Sequence, residues 1–372
     1  MKYYIIAGEA SGDLHGSNLI KELKTLDNRA VIRCWGGELM QNAGGDVVKH
    51  YRDLAFMGFT EVILNLPTII KNFSFCKKDI EAFRPNVLIL IDYPGFNLRM
   101  AKWAKENGIK VIYYISPQIW AWKEKRIHDI KKYVDKMLVI LPFEASFYAK
   151  WNYPVDYVGH PLVDTIDQYL QTINRRKNPW GEEQKIIALL PGSRKQEILR
   201  KLPVMLEMVN QFPNYKFILA KAPGLDDSFY AELLKSYPYV ETVSNRTYEL
   251  LTFASAALVT SGTATLETAL FGVPQIICYK GNNISFQIAK RLIRIKYIGL
   301  VNLIMNKEVV KELIQNQLTE KNLMIELNLI LNNGIRIKQI KENYQLLREI
   351  LIKGGNASKN AAAIINKFLT KK

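Results

Sequence analysis

Short runs of wholly apolar residues recur along this chain, and each ends at a turn of small or charged residues. Val87–Ile91 reads Val-Leu-Ile-Leu-Ile and stops at Asp92, while Ile186–Leu190 reads Ile-Ile-Ala-Leu-Leu and stops at Pro191-Gly192. Apolar side chains at every position, with no alternation, mean that both faces are buried. That is the condition of a strand in a parallel sheet covered by helices on each side. Tyr3–Ala7, Val31–Trp35, Val111–Ile115, Lys136–Leu141, Tyr215–Ala220, Val240–Val243, Ala256–Val259 and Gln275–Tyr279 fit the same template, with helical patterns between them, such as Asn97–Asn107 stopped by Gly108. Strands alternating with helices predict an α/β fold with ligands received beyond the carboxyl ends of the strands. Glu9, Ser11, Asp92 and Ser116 stand at such ends.

The strands form two series. The first runs to about residue 158, and a polar crossing with Arg175, Arg176, Lys177 and Pro179 separates it from the second, which begins at Ile186. A chain of 372 residues suits about two domains. The expectation is two Rossmann-like domains, 1–165 and 166–340, facing a cleft, with C-terminal helices over 341–372. The stretch from Glu308 to Lys372 reads as helical throughout.

The second series carries two turns suited to an anion. Ser261-Gly262-Thr263 follows the Ala256–Val259 strand and opens a helix over Ala264–Phe271, stopped by Gly272 and Pro274. Unpaired backbone N–H groups at the positive end of a helix dipole suit a phosphate or diphosphate. Leu190-Pro191-Gly192-Ser193-Arg194 repeats this logic, and Arg194 can fork onto phosphate oxygens. Glu267, about one turn into the first helix, is placed to accept hydrogen bonds from sugar hydroxyls. Each turn alone reads as well as an ordinary capped helix start; two in one domain favour the anion.

In the first series Asp92 ends an apolar strand before Tyr93-Pro94-Gly95-Phe96-Asn97, which makes it a candidate general base. Glu9 and Asp13 share the first glycine-rich turn, where Asp13 suits a cap. No His, Cys or Asp spacing matches a metal site, and no cofactor motif is visible. Cys34, Cys76 and Cys278 suit a reducing cytoplasm as core residues. Of the four histidines, His160 in Val158-Gly159-His160-Pro161 lies nearest the crossing and reads first as structural.

The formal charge of +16 favours an acidic partner without choosing among nucleic acid, an anionic membrane and a phosphorylated substrate. Met57–Phe75 bears on that choice. Val62, Ile63, Leu66, Ile69, Ile70 and Phe73 recur at helical spacing, with Pro67 as a point of bending. A buried helix explains them; so does an exposed face that dips into lipid. Phe286–Lys296 is a second basic and apolar stretch. No apolar run approaches the roughly 18 residues of a membrane span, and the N-terminus lacks the pattern of a signal peptide.

Taken together, the motifs resemble the lipid-A-disaccharide synthases. The matching stretches are Ala7-Gly8-Glu9-Ala10-Ser11-Gly12-Asp13, Met57-Gly58-Phe59, Ile91-Asp92-Tyr93-Pro94, Ser116-Pro117-Gln118-Ile119-Trp120-Ala121-Trp122, Leu141-Pro142-Phe143-Glu144, Gly159-His160-Pro161, Leu190-Pro191-Gly192-Ser193-Arg194, Ser261-Gly262-Thr263-Ala264-Thr265-Leu266-Glu267 and Leu300-Val301-Asn302-Leu303. They stand in the family's order along nearly the whole chain. Gly95 departs from relatives that carry a second acidic residue there, which points to Asp92 as the essential carboxylate of its loop.

The resemblance implies a GT-B fold and an inverting, metal-independent glycosyltransferase without cofactor. It would transfer 2,3-diacylglucosamine from UDP-2,3-diacylglucosamine to 2,3-diacylglucosamine 1-phosphate (lipid X). Asp92 would act as base. Gly192, Ser193, Arg194 and Ser261-Gly262-Thr263 would hold the diphosphate, and Glu267 the ribose. Glu9 and Asn302 would position the sugars. The resemblance also implies a peripheral enzyme on the cytoplasmic face of the inner membrane, with Val62, Ile63, Leu66, Ile69 and Ile70 meeting acyl chains and membrane lipid. It further implies a homodimer that exchanges C-terminal helices, and no role for nucleic acid. Two other readings remain at this point. A related UDP-sugar enzyme, such as a UDP-N-acetylglucosamine 2-epimerase, would use soluble substrates. A basic RNA-binding protein would interleave aromatics with Lys or Arg on a sheet face, whereas here the aromatics sit in βα turns.

Overall fold

The computed structural model describes residues 1–54, 66–173, 177–282, 286 and 295–370. The chain divides into two compact units, Met1–Pro161 with Leu351–Lys372, and Leu162–Ile350.

In the first unit the described strands are β1 (Lys2–Ala7), β2 (Val31–Gly36), β3 (Asp46–His50), β4 (Val87–Ile91), β5 (Lys110–Tyr114), β6 (Lys136–Val139) and β7 (Asp156–Tyr157). They pair in parallel in the order β3-β2-β1-β4-β5-β6-β7. The apolar runs have the physical cause expected of them. Along β1, Tyr3, Ile5 and Ala7 enter one core layer, while Tyr4 and Ile6 enter the other. Strand β4 divides likewise, with Leu88 and Leu90 opposite Val87, Ile89 and Ile91.

The second unit repeats the plan with β8 (Ile186–Leu190), β9 (Lys216–Lys221), β10 (Glu241–Ser244), β11 (Ala254–Val259), β12 (Gln275–Tyr279) and β13 (Lys311–Ile314). All pairs are parallel, in the order β10-β9-β8-β11-β12-β13. In each unit the strand order therefore reverses between two neighbours, β1 and β4 in the first, β8 and β11 in the second. Loops leaving such neighbours part to opposite sides and open a crevice for a ligand.

The structure corrects two expectations. The region after Glu308 is not helical throughout, because Lys311–Ile314 is β13, paired with β12. Its charged residues hid it: Glu312 is buried, and its carboxylate accepts from the N–H groups of Ile298 and Gly299. Helices Glu320–Asn332, Gly334–Ile352 and Ala357–Thr370 follow. The last packs Ala357, Ala361, Ala362 and Ile365 into the core layer of its own first unit, beside the Ala10–Leu26 helix.

The helix expected from Asn97 begins instead at Pro94. Proline is suited to a first helical turn, having no N–H to leave unpaired. Pro67 is the second described residue of the Leu66–Phe83 helix. Residues 55–65, including Val62 and Ile63, lie outside the described residues, as does most of Phe286–Lys296. Within Leu66–Phe83, Cys76 and Ile80 face the core, Ile69 is half-buried, and Ile70 is 59% exposed.

Candidate active site

The crevice between β8 and β11 is lined by the two turns expected to cradle an anion. Both turns that line it pass through backbone that glycine alone adopts without strain, with φ +115° at Gly192 and +118° at Gly262. They differ in what surrounds them. A Cβ on Gly262 would meet nothing within 4 Å, so that turn faces open space. A Cβ on Gly192 would come 3.0 Å from a Glu197 carboxylate oxygen. Each turn leads into a helix, Lys195–Leu206 and Thr263–Leu270, whose first N–H groups have no acceptor within the helix. The Thr260 N–H donates to the Leu190 carbonyl at 2.8 Å and ties the two strand ends together.

A cavity of about 410 Å³ opens above these turns, lined by Gly192, Ser193, Arg194, Ser261, Gly262, Thr263 and Glu267. The structure thus brings together every residue expected at the diphosphate and the ribose. Arg194 lies on the exposed side, its guanidinium 3.2 Å from Glu197. At the other end Glu267 accepts a 3.1 Å hydrogen bond from the Tyr248 hydroxyl, and burial raises its pKa. A carboxylate so held in the cavity wall suits hydroxyl groups of a sugar.

Asn302 is not among the residues lining this cavity. It is fully buried, and its amide donates to the Val310 carbonyl and Glu312 while its oxygen accepts from the N–H groups of Val309 and Val310. All its strong bonding capacity goes to holding the loop that precedes β13.

The corresponding crevice in the first unit, between β1 and β4, holds carboxylates. Asp92 and Tyr93 both take left-handed backbone, with φ +43° and +47°. Two consecutive non-glycine residues there cost energy and persist only where the surroundings over-determine them. They do so here. The buried Asn97 amide donates to the carbonyls of Asp92 (2.8 Å) and Ile91 (3.2 Å), and the Tyr113 hydroxyl donates to the Asp92 carbonyl at 2.5 Å. The backbone is thereby pinned.

Burial, with the Glu9 carboxylate second, pushes the Asp92 pKa up to about 7, against a bond from the Tyr93 backbone that lowers it. A base poised near neutrality is suited to proton abstraction at physiological pH. Glu9 stands at the N-cap position of the Ala10–Leu26 helix, where its carbonyl accepts from the Asp13 N–H at 3.0 Å. Asp13 does not cap its own helix: its carboxylate accepts from Gly37, Leu39 and Met40 at the start of the Glu38–Asn42 helix.

Gly8 sets the spacing of this site, since a Cβ there would come within 2.3 Å of the Tyr93 ring. Gly8→Ala is therefore expected to displace the Asp92–Tyr93 turn. Misplacement on that scale lowers turnover by up to about 10²-fold. UDP binding, measured by calorimetry, should stay as in the wild type.

Sequence reasoning missed Asn97 and Tyr113, which hold the Asp92 turn, and Lys201, buried beneath the anion cradle. The last left a trace: Lys201 shares a helix face with Ile198, Leu202 and Met205, all buried. His15 and His160 are both held neutral by burial, with pKa values lowered to about 4 and about 3. They read as structural. Among the described residues no group of three or more His, Cys, Asp or Glu has the arrangement of a metal site.

Comparison with known proteins adds to this geometry. A family model described as lipid-A-disaccharide synthetase matches residues 3–367. The lipid-A-disaccharide synthase of Geobacter metallireducens is 39% identical over 375 residues, covering 99% of this chain and 97% of its own. That of Coxiella burnetii strain CbuG_Q212 is also 39% identical, over 371 residues and 98% of each chain. Among solved structures, a UDP-GlcNAc 2-epimerase from Neisseria meningitidis bound to UDP-GlcNAc superposes with a TM-score of 0.69 at 13% identity, covering 100% of both chains. The glycotransferase of kitacinnamycin gives 0.65 at 13% identity, covering 98% of both. These structural likenesses carry the fold alone, and that fold is GT-B.

Proposed function

This chain belongs to the lipid-A-disaccharide synthase family, and we propose that it is an inverting glycosyltransferase of lipid A biosynthesis. It transfers 2,3-diacylglucosamine from UDP-2,3-diacylglucosamine to 2,3-diacylglucosamine 1-phosphate, giving the lipid A disaccharide 1-phosphate and UDP. The observation that carries the chemistry is the pinned Asp92 with its pKa at about 7.

In this reading Asp92 takes the proton from the acceptor 6-hydroxyl as that oxygen attacks the anomeric carbon of the donor. The bond from that carbon to the diphosphate oxygen breaks, its electron pair leaves with UDP, and the configuration inverts. Arg194 and the N–H groups of the Gly192 and Gly262 turns receive the charge that develops on UDP. They are in place before the reaction, so no reorganisation is needed at the transition state. Glu267 holds the ribose, and Glu9 helps to place the acceptor sugar while keeping the Asp92 pKa high. Asn302 acts through the loop it anchors.

Incubating the protein with both lipid substrates and resolving the products by mass spectrometry tests this. Disaccharide 1-phosphate and UDP in equal amounts are expected, unchanged by EDTA. UDP-sugar consumed without a disaccharide would sink the reading, and activity lost in EDTA and restored by a divalent cation would sink its account of the leaving group.

Attachment to the cytoplasmic face of the inner membrane belongs to the same proposal. No helix among the described residues is long and apolar enough to cross a membrane. Lipid substrates nonetheless require the enzyme to reach their headgroups. Ile70 and Phe75 are exposed on the Leu66–Phe83 helix, with Lys71 and Lys78 exposed beside them. Each large apolar side chain placed in lipid contributes about 1.5–3 kcal/mol, and lysines add attraction to anionic headgroups. Polar replacement of Val62, Ile63, Leu66, Ile69 and Ile70 should raise the soluble fraction severalfold and lower phospholipid co-purification. A collapsed thermal transition would instead assign those residues to the core.

A homodimer that exchanges C-terminal helices completes the proposal. Gly354 and Gly355 join the Gly334–Ile352 and Ala357–Thr370 helices, and Gly355 has φ +69°. A change of backbone there would send the last helix to a partner. Light scattering should return twice the mass of one chain; the mass of one chain would refute it.

A further inference from the structure

Beneath the anion cradle lies a lysine that the reading above does not use. Lys201 is on the inward face of the Lys195–Leu206 helix, its side chain 2% exposed. Burying an ammonium group is costly unless it is paired and hydrogen-bonded. Lys201 has both kinds of partner. It donates to the Thr260 hydroxyl, and its nitrogen is 3.4 Å from the Glu197 carboxylate. The same ammonium lies 3.6 Å from the point a Cβ on Gly192 would occupy. Both partners belong to the cradle: Thr260 precedes the Ser261-Gly262-Thr263 turn, and Glu197 lines the cavity. Burial draws the lysine pKa down and Glu197 opposes this.

Glu197 is the reason a buried cation matters here. It is a carboxylate inside a cavity built for an anion, and it also contacts Arg194 at 3.2 Å. Alone, it would repel a diphosphate and compete with it for the guanidinium. Two cations share this one carboxylate, so the group carries a net positive charge. We propose that Lys201 is a positioning residue for the diphosphate: it holds Glu197 and Thr260 beneath the Gly192 turn and offsets the charge of that carboxylate where the ligand binds. This rests on the donor site proposed above.

The test titrates uridine, UMP and UDP into the wild type, Lys201→Met, Glu197→Gln and the double variant, with thermal unfolding as a check on folding. Lys201→Met should weaken UDP about tenfold or more, as expected for losing one charged partner, and leave uridine unchanged. The double variant should recover most of the UDP affinity, because the unbalanced carboxylate is gone. A purely structural lysine would not be rescued that way. Unchanged UDP affinity in Lys201→Met, equal losses for uridine and UDP, or no recovery in the double variant would each overturn the inference. If Lys201→Met does not fold, Glu197→Gln decides: retained or tighter UDP binding supports the proposal, and a tenfold loss refutes it by making Glu197 a ligand group. Failure of the wild type to bind UDP would overturn the donor site itself, a different result.

Discussion

Asp92→Asn should lower turnover by about 10²-fold or more while leaving UDP affinity intact, because the change keeps the size of the side chain and removes only the base. The pH dependence gives an independent reading. Burial and Glu9 hold the Asp92 pKa at about 7, above its ordinary value of 3.8. The base is active only when ionised, so the wild-type rate should fall as pH drops through about 7. The stability effect has the opposite sense. A carboxyl group whose pKa is raised on folding stabilises the fold at pH values below about 4, and that contribution is lost as pH rises through about 7. At pH 8 Asp92→Asn should therefore unfold at a higher temperature than the wild type. An inactive variant with unchanged or lower stability at pH 8 would mean that Asp92 is not the strained, buried carboxylate described here. Near-normal turnover would remove it from the mechanism.

Arg194→Ala and Glu267→Ala should each weaken UDP binding by about 10- to 100-fold, the usual loss for a charged hydrogen-bonding partner. They separate when the ligand is trimmed. Arg194 stands at the Gly192 turn and Glu267 one turn into the Thr263–Leu270 helix, beside Tyr248. Arg194→Ala should thus spare uridine, whereas Glu267→Ala should weaken uridine and UDP alike. If Arg194→Ala costs uridine as much as UDP, the nucleotide lies in the reverse direction across the cavity.

The turns could be read in the sequence because their chemistry is local. Gly192 and Gly262 each follow an apolar strand and open a helix, and a parallel sheet allows such a turn one position, at the carboxyl edge. What put them in a single cavity was the strand order β10-β9-β8-β11-β12-β13, which seats β11 beside β8 although some 63 residues lie between their ends. Asp92 was legible as a strand-end carboxylate. Its left-handed backbone was not, since Asn97 and Tyr113 impose it from a following helix and a neighbouring strand.

Residues whose partners lie on other elements were the ones hardest to read. Asp13 suited a cap by residue type, but the helix it caps begins about 25 residues later. Asn302, expected at a substrate, makes four hydrogen bonds to Val309, Val310 and Glu312. Glu312 hid β13, because a buried carboxylate in a strand is tolerable only when backbone N–H groups and Asn302 satisfy it. By itself the sequence determined the parallel α/β architecture, the two glycine turns that open helices and the strand-end carboxylate, since backbone geometry and side-chain burial dictate these over a few residues. The tertiary structure decided which polar groups lie idle toward a ligand and which are consumed inside the fold, because a buried charge or amide takes its role from the partners that folding brings to it.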